Sequence, residues 1–234
     1  MTVSQPMPPG TGQPVDTRPM IVVHTALRRE FRLTADAIRA AGAGDRDRAV
    51  VLAAHLLFLL DLLHHHHSGE DAFLWPKLTS RAPVDTAPLI ELMQAQHDGL
   101  DALLAQSRAA AGDWQADPGR AQRDRLAGLL DGLNAGLAEH LAAEERDILP
   151  LAAVYLSEPE WREIGQAAVD ALPRPKLPLV FGMFALEGEP EVLRVMLQEA
   201  PPLPRRLMPR LGPRAYAKYA RRVYGSASPV AARP

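Results

Sequence analysis

The residues best suited to chemistry are a small set of histidines and glutamates whose spacing is duplicated. His24 precedes His66 by 42 residues, and His97 precedes His140 by 43. Each second histidine is followed four positions later by glutamate and ten positions later by proline: His66, Glu70 and Pro76, then His140, Glu144 and Pro150. A residue and its fourth successor share one helical face, so each pair presents an imidazole beside a carboxylate. Together with His24 and His97, the two copies offer four imidazoles and two carboxylates. That donor set suits iron, manganese or zinc, and a chain without cysteine has no thiolate for softer metals. If both glutamates bridge, two metals share the site. His66, in register with Glu70, is then the ligand within the histidine run at 64–67. His64 and His65 take structural or surface roles, and His67 reaches the same face through its three-residue offset from Glu70.

Such donors need rigid helices to hold them, and the chain is rich in Ala, Leu, Arg and Glu with no sustained alternation of apolar and polar residues. The pattern predicts an all-α fold with helices near 20–41, 46–75, 86–111 and 120–156. Gly42 and Gly112 end the first and third, Pro76 ends or kinks the second, and Pro150 bends the fourth. Short connections between four such helices predict an up-down-up-down bundle. Residues 1–19, rich in Pro, Gly and Thr, read as a disordered tail; 20–156 form the bundle. Residues 157–234, interrupted by proline and glycine, read as a helical C-terminal extension with a frayed SASPVAARP end. The apolar run 49–63 is too short to span a bilayer and carries His55 and Asp61, so it reads as a buried helix.

His24, His66-x-x-x-Glu70, His97 and His140-x-x-x-Glu144 resemble the hemerythrin-like, or HHE cation-binding, domain over about residues 20–156. A ferritin-like site would need Glu-x-x-His pairs, and here Leu63 and Leu137 stand three residues before the histidines. The resemblance implies a four-helix bundle around a non-heme di-iron centre. In it, His24 and His66 would hold one iron, His97 and His140 the other, with Glu70 and Glu144 bridging. Where oxygen-carrying hemerythrins have a second histidine one turn further along the third helix, this chain has Asp101. Where they use an aspartate five residues after the fourth-helix histidine, it has Glu145, which shares the face of His140 less well than Glu144 does.

Four histidines, two bridging glutamates and an oxo or hydroxo bridge leave about two open positions on two six-coordinate irons, one per metal. Asp101, His67, Glu145, His55 and Tyr155 are the candidates for a further ligand or for orienting the ligands, as is Asp71 beside Glu70. His55 and Tyr155 each lie eleven residues from a ligand, about 16 Å along a helix, which favours core roles for both. No catalytic residue is expected beyond the metal centre, and no organic cofactor.

The formal net charge of −2 gives no global attraction to polyanions, so neither nucleic acid nor membrane is an expected partner. The basic segment 204–225, with interleaved tyrosines, reads as a packing helix. The N-terminal stretch lacks a secretory pattern, which points to the cytoplasm. The expected protein is a di-iron module that binds or reacts with oxygen, peroxide or nitric oxide, with catalase-like removal of peroxide among its activities. The alternative is a non-catalytic iron or oxygen sensor, or a storage module.

Overall fold

The computed structural model describes residues 14–229; residues 1–13 of the expected tail and 230–234 of the expected frayed end lie outside them. All regular elements among the described residues are helical. In chain order the α-helices are α1 (Arg18–Ala40), α2 (Arg46–Phe73), α3 (Trp75–Arg81), α4 (Ala87–Ala116), α5 (Arg120–Ala143), α6 (Leu149–Tyr155), α7 (Glu158–Asp170), α8 (Leu177–Ala185), α9 (Pro190–Met196) and α10 (Pro202–Tyr224), with short 3-10 turns at Val84–Thr86 and Arg174–Lys176. A π-helical turn, Glu144–Ile148, joins α5 to α6.

The long helices pack in a ring: α1 against α2 and α5, and α4 against the same two. Between α1 and α2 the chain turns through Gly44, whose φ of 82° is open to glycine at little cost. Asp45 then caps α2 by accepting the Arg48 N–H at 3.0 Å. By length and composition the helical stretch Arg46–Arg81 could cross a membrane, yet Leu52, Leu56, Leu59, Leu60 and Leu63 are fully buried within the protein.

Both repeated prolines disturb their helices just after the glutamates. Proline lacks an N–H and its ring collides with the carbonyl four residues earlier. Pro76 accordingly starts a new helix after the break at Leu74. Pro150 is accommodated by the π turn, in which the Leu149 N–H reaches back to the Glu144 carbonyl.

Two boundaries differ from expectation. Gly112 does not end α4, because Trp114 beyond it is buried and its packing outweighs the roughly 1 kcal/mol cost of a helical glycine. The described part of the expected tail is seated on the protein, with Val15 buried and its N–H donating to the Ala153 carbonyl at 3.0 Å.

The apolar interior falls into two clusters. One is built from residues such as Leu27, Leu63, Leu100 and Leu137, the other from Met20, Leu74, Met93 and Ile148. On each long helix the chain passes from one cluster to the other across a histidine: His24, His66, His97 and His140. The expected ligands therefore form a polar layer between two dry cores. Beyond α7, α8 and α10 cross so closely that a Cβ on Gly182 would collide with the Gly212 carbonyl. This crossing fastens the C-terminal helices to one another.

Candidate metal centre

Two groups of ligand-type side chains converge in the polar layer. His24, His66, Glu70 and Glu144 form one; His67, His97 and His140 form the other. Within each group the nearest donor atoms lie within 4.8 Å of one another. Glu70 reaches both: Oε1 lies 3.3 Å from His66 Nε2 and Oε2 lies 3.5 Å from His97 Nε2. Glu144 Oε2 lies 3.3 Å from His24 Nε2 and 3.9 Å from His140 Nε2. Each glutamate thus sits between the histidine of its own helix and the first histidine of the other half-repeat.

The outer nitrogens of three imidazoles are held by hydrogen bonds. His24 Nδ1 meets Glu145 Oε1 at 3.0 Å, and Arg28 donates to the same oxygen at 2.7 Å. His97 Nδ1 meets Asp71 Oδ1 at 2.8 Å, an oxygen that also accepts the Trp75 indole N–H at 2.8 Å. His140 Nδ1 meets Gln96 Oε1 at 3.1 Å. Each partner accepts, which favours the proton on Nδ1 and turns Nε2 to the layer, where His97 Nε2 and His140 Nε2 lie 3.1 Å apart. The pairing runs crosswise through the repeat, with the acid after each central glutamate orienting a histidine of the opposite half.

The layer is dry, and this sets its protonation. Burial, with the nearby imidazoles, holds His66 and His67 well below the usual histidine range and pushes His140 down to about 3. Burial also holds the Glu70 carboxyl well above the ordinary range, and burial together with Glu70 pushes Glu144 up to about 8. Glu145 stays low despite partial burial, because it bonds His24 and Arg28. A neutral imidazole is the form that ligates metal.

The donors fit a cation better than they fit one another. His24 Nε2, His66 Nε2, both nitrogens of His67 and all four carboxylate oxygens of Glu70 and Glu144 are buried and make no hydrogen bond. Each such atom costs about 1–3 kcal/mol when left unpaired. One cation per group would engage nearly all of them.

The remaining candidates fall in other places. His67 joins the second group, its ring stacked on His97 with centroids 4.1 Å apart. Of the candidates for a further ligand, His67 is the one placed in a group, so the groups carry two and three imidazoles rather than two each. At the equivalent position of the other half stands Leu141, buried in the apolar core. Asp101 belongs to neither group; its side chain is about half exposed, 3.6 Å from His64 Nδ1. Tyr155 packs against the second apolar cluster, and its carbonyl accepts from Arg81 at 3.3 Å.

His55 belongs to a separate buried network. Its Nε2 meets Tyr224 Oη at 2.6 Å and its Nδ1 meets Tyr219 Oη at 3.0 Å. Tyr224 also donates to Glu30 Oε2 at 2.8 Å, while Tyr216 and Arg29 donate to Glu30 Oε1 at 2.6 and 2.7 Å. Glu30 thereby ties α10 to α1, two turns from His24. Sequence reasoning did not single out Gln96 or Glu30. Gln96 had only its place beside His97 as a signal, and Glu30 had none.

The model of the hemerythrin HHE cation-binding domain matches residues 17–152, which contain every residue of the two groups. No curated protein and no solved structure matches the chain.

Proposed function

The chain belongs to the hemerythrin HHE cation-binding family, and from that premise we propose that it holds two iron ions and takes up a small oxidant, with hydrogen peroxide the best single candidate. Zinc suits the same donors but brings no redox chemistry to this role, and manganese prefers a donor set richer in oxygen than this histidine-dominated one. In this reading α1, α2, α4 and α5 are the up-down-up-down bundle, residues from about 157 onward are a helical extension, and the protein works in the cytoplasm against oxygen, peroxide or nitric oxide.

The observation that carries the reading is the set of buried, unpaired donors, with Glu70 spanning both groups. His24, His66, Glu70 and Glu144 would hold one ion; His67, His97 and His140 would hold the other, with the two glutamates between them. When bound, the pair of irons supplies redox electrons and Lewis acidity to a small ligand. The protein's own contribution is orientation and dryness. Glu145, Asp71 and Gln96 fix the tautomers of three imidazoles, and the two apolar cores keep bulk water from the layer. The third imidazole of the His97 group would add a donor that the repeat alone does not supply. A small ligand is therefore directed to the His24 and His66 side.

A sensor reading has one specific observation in its favour. The Glu30 network joins the C-terminal helix α10 to the helix that carries His24, so a shift of α1 on metal loading would be felt there.

Elemental analysis of reconstituted protein should find about two irons per chain, one for each donor group. Glu70→Ala or Glu144→Ala should lower that content more than Asp101→Ala does. Peroxide consumption by the loaded protein should disappear in His66→Ala and His140→Ala. Absence of iron, manganese and zinc after reconstitution would sink the metal site. Reversible oxygen binding without peroxide turnover would replace the oxidant-consuming reading with a carrier or sensor.

A further inference from the structure

Helix α10 is anchored along one face and bare along the other. Gly212, Tyr216, Ala220 and Val223 are buried, where α10 packs against α8 and reaches Glu30. Before Gly212 the helix has no such support, and nearly every residue from Pro201 to Leu211 is exposed. The opposite face carries Leu203, Leu207, Leu211, Arg214, Lys218 and Arg221, spaced by three or four residues and so aligned in one stripe. The leucines occupy about 12 Å of its length and the cationic part about 15 Å more. Leu203, Leu207 and Leu211 remain 67%, 39% and 48% exposed.

The composition of this helix is narrow. From Pro201 to Tyr224 there is no acid, Ser, Thr, Asn, Gln or His, in a chain whose formal net charge is −2. Arg206, Arg210, Arg214, Lys218 and Arg221 form no ion pair among the described residues. An isolated basic stripe would suit any polyanion, but nucleic acid offers nothing to a row of leucines. A second copy would bring like charge against like charge. A folded protein partner recognises through mixed polar groups that set register and hydrogen bonds, and this stripe has only hydrocarbon and positive charge. Those two chemistries together match the boundary between headgroup and acyl chain of an anionic bilayer.

We propose that α10 docks the protein on an anionic membrane surface, its leucine half entering the acyl boundary and Arg214, Lys218 and Arg221 resting on lipid phosphates. This revises the expectation that no membrane is a partner, since the local charge of one helix outweighs the slightly acidic whole at contact range. The chain stays peripheral, and the docking does not depend on the metal centre.

The test is sedimentation of the full-length protein with phosphatidylcholine vesicles, with and without phosphatidylserine. Binding is expected only with phosphatidylserine and should fall as salt is raised. Each cation near such a surface contributes roughly fivefold. Replacing Arg214, Lys218 and Arg221 together by Gln should therefore weaken partitioning on the order of 100-fold. Leu207→Asp should abolish it, while Arg214→Lys with Arg221→Lys should retain it. All these positions are exposed, so the melting temperature should not move, and this separates lost docking from lost folding. Equal binding to neutral vesicles, no binding to phosphatidylserine vesicles at low salt, or unchanged binding by Leu207→Asp would each overturn the proposal. The second of these outcomes would point instead to an acidic protein partner, and the third to a contact made by charge alone.

Discussion

His67 is the residue whose replacement separates metal binding from ordinary packing, because its effect should change sign with metal. In the metal-free protein its imidazole is buried, neutral and without a hydrogen bond at either nitrogen. Each unpaired polar atom costs about 1–3 kcal/mol. His67→Leu keeps a similar volume and removes both penalties, losing the stack on His97, worth about 0.5–1.5 kcal/mol. The metal-free variant should therefore be more stable than the parent, by about 0.5–5.5 kcal/mol. A change of that size raises the melting temperature by about 2–4 °C per kcal/mol in a domain of this length. In the loaded protein the same change deletes a ligand. An affinity loss of about 100-fold would cut the stabilisation by metal by about 2.7 kcal/mol. Urea unfolding with and without anaerobic iron(II), at unchanged denaturant slope, measures both numbers. His55→Leu is the control, since both of its nitrogens are bonded to tyrosines and its loss should destabilise in either state. If metal-free His67→Leu loses stability like an ordinary core variant, or gains as much from iron as the parent does, the assignment of His67 to the site is wrong.

Two further outcomes follow from the buried groups. Above the ordinary carboxylate range the metal-free fold keeps protons on Glu70, and on Glu144 up to about pH 8, that the unfolded chain has already released. Its stability should therefore fall with rising pH by up to about 1.4 kcal/mol per unit for each carboxyl. Metal affinity should rise over the same window as those protons become easier to displace; denaturation and metal titrations at stepped pH check both slopes. Glu30→Ala removes the buried carboxylate shared by Arg29, Tyr216 and Tyr224, leaving Arg29 only Glu187 and the Met183 carbonyl. It should cost about 3–5 kcal/mol of stability with little change in metal content, as read by unfolding and elemental analysis.

Most of the helices and both central glutamates were legible because they depend on local rules. Periodicity, prolines and one four-residue spacing placed α1, α2, α4 and α5 and put Glu70 beside His66. What failed to show in the sequence depends on contacts between distant segments. Gly112 looked like a helix end, and only the burial of Trp114 against other helices carries α4 past it. Glu30 looked like any helix-face acid until α10 brought two tyrosines to it. His67 is the most instructive case. The repeat compares equivalent positions, and at this one the halves differ: His67 in the first, Leu141 in the second. A count drawn from the repeat therefore gave each metal the same ligands and one open position apiece. Packing of His67 across α2 onto His97 of α4 breaks that equality, adding an imidazole to one group alone. Two metals in such a pocket would not be chemically equivalent, and an incoming oxidant would meet the less crowded one, beside His24 and His66.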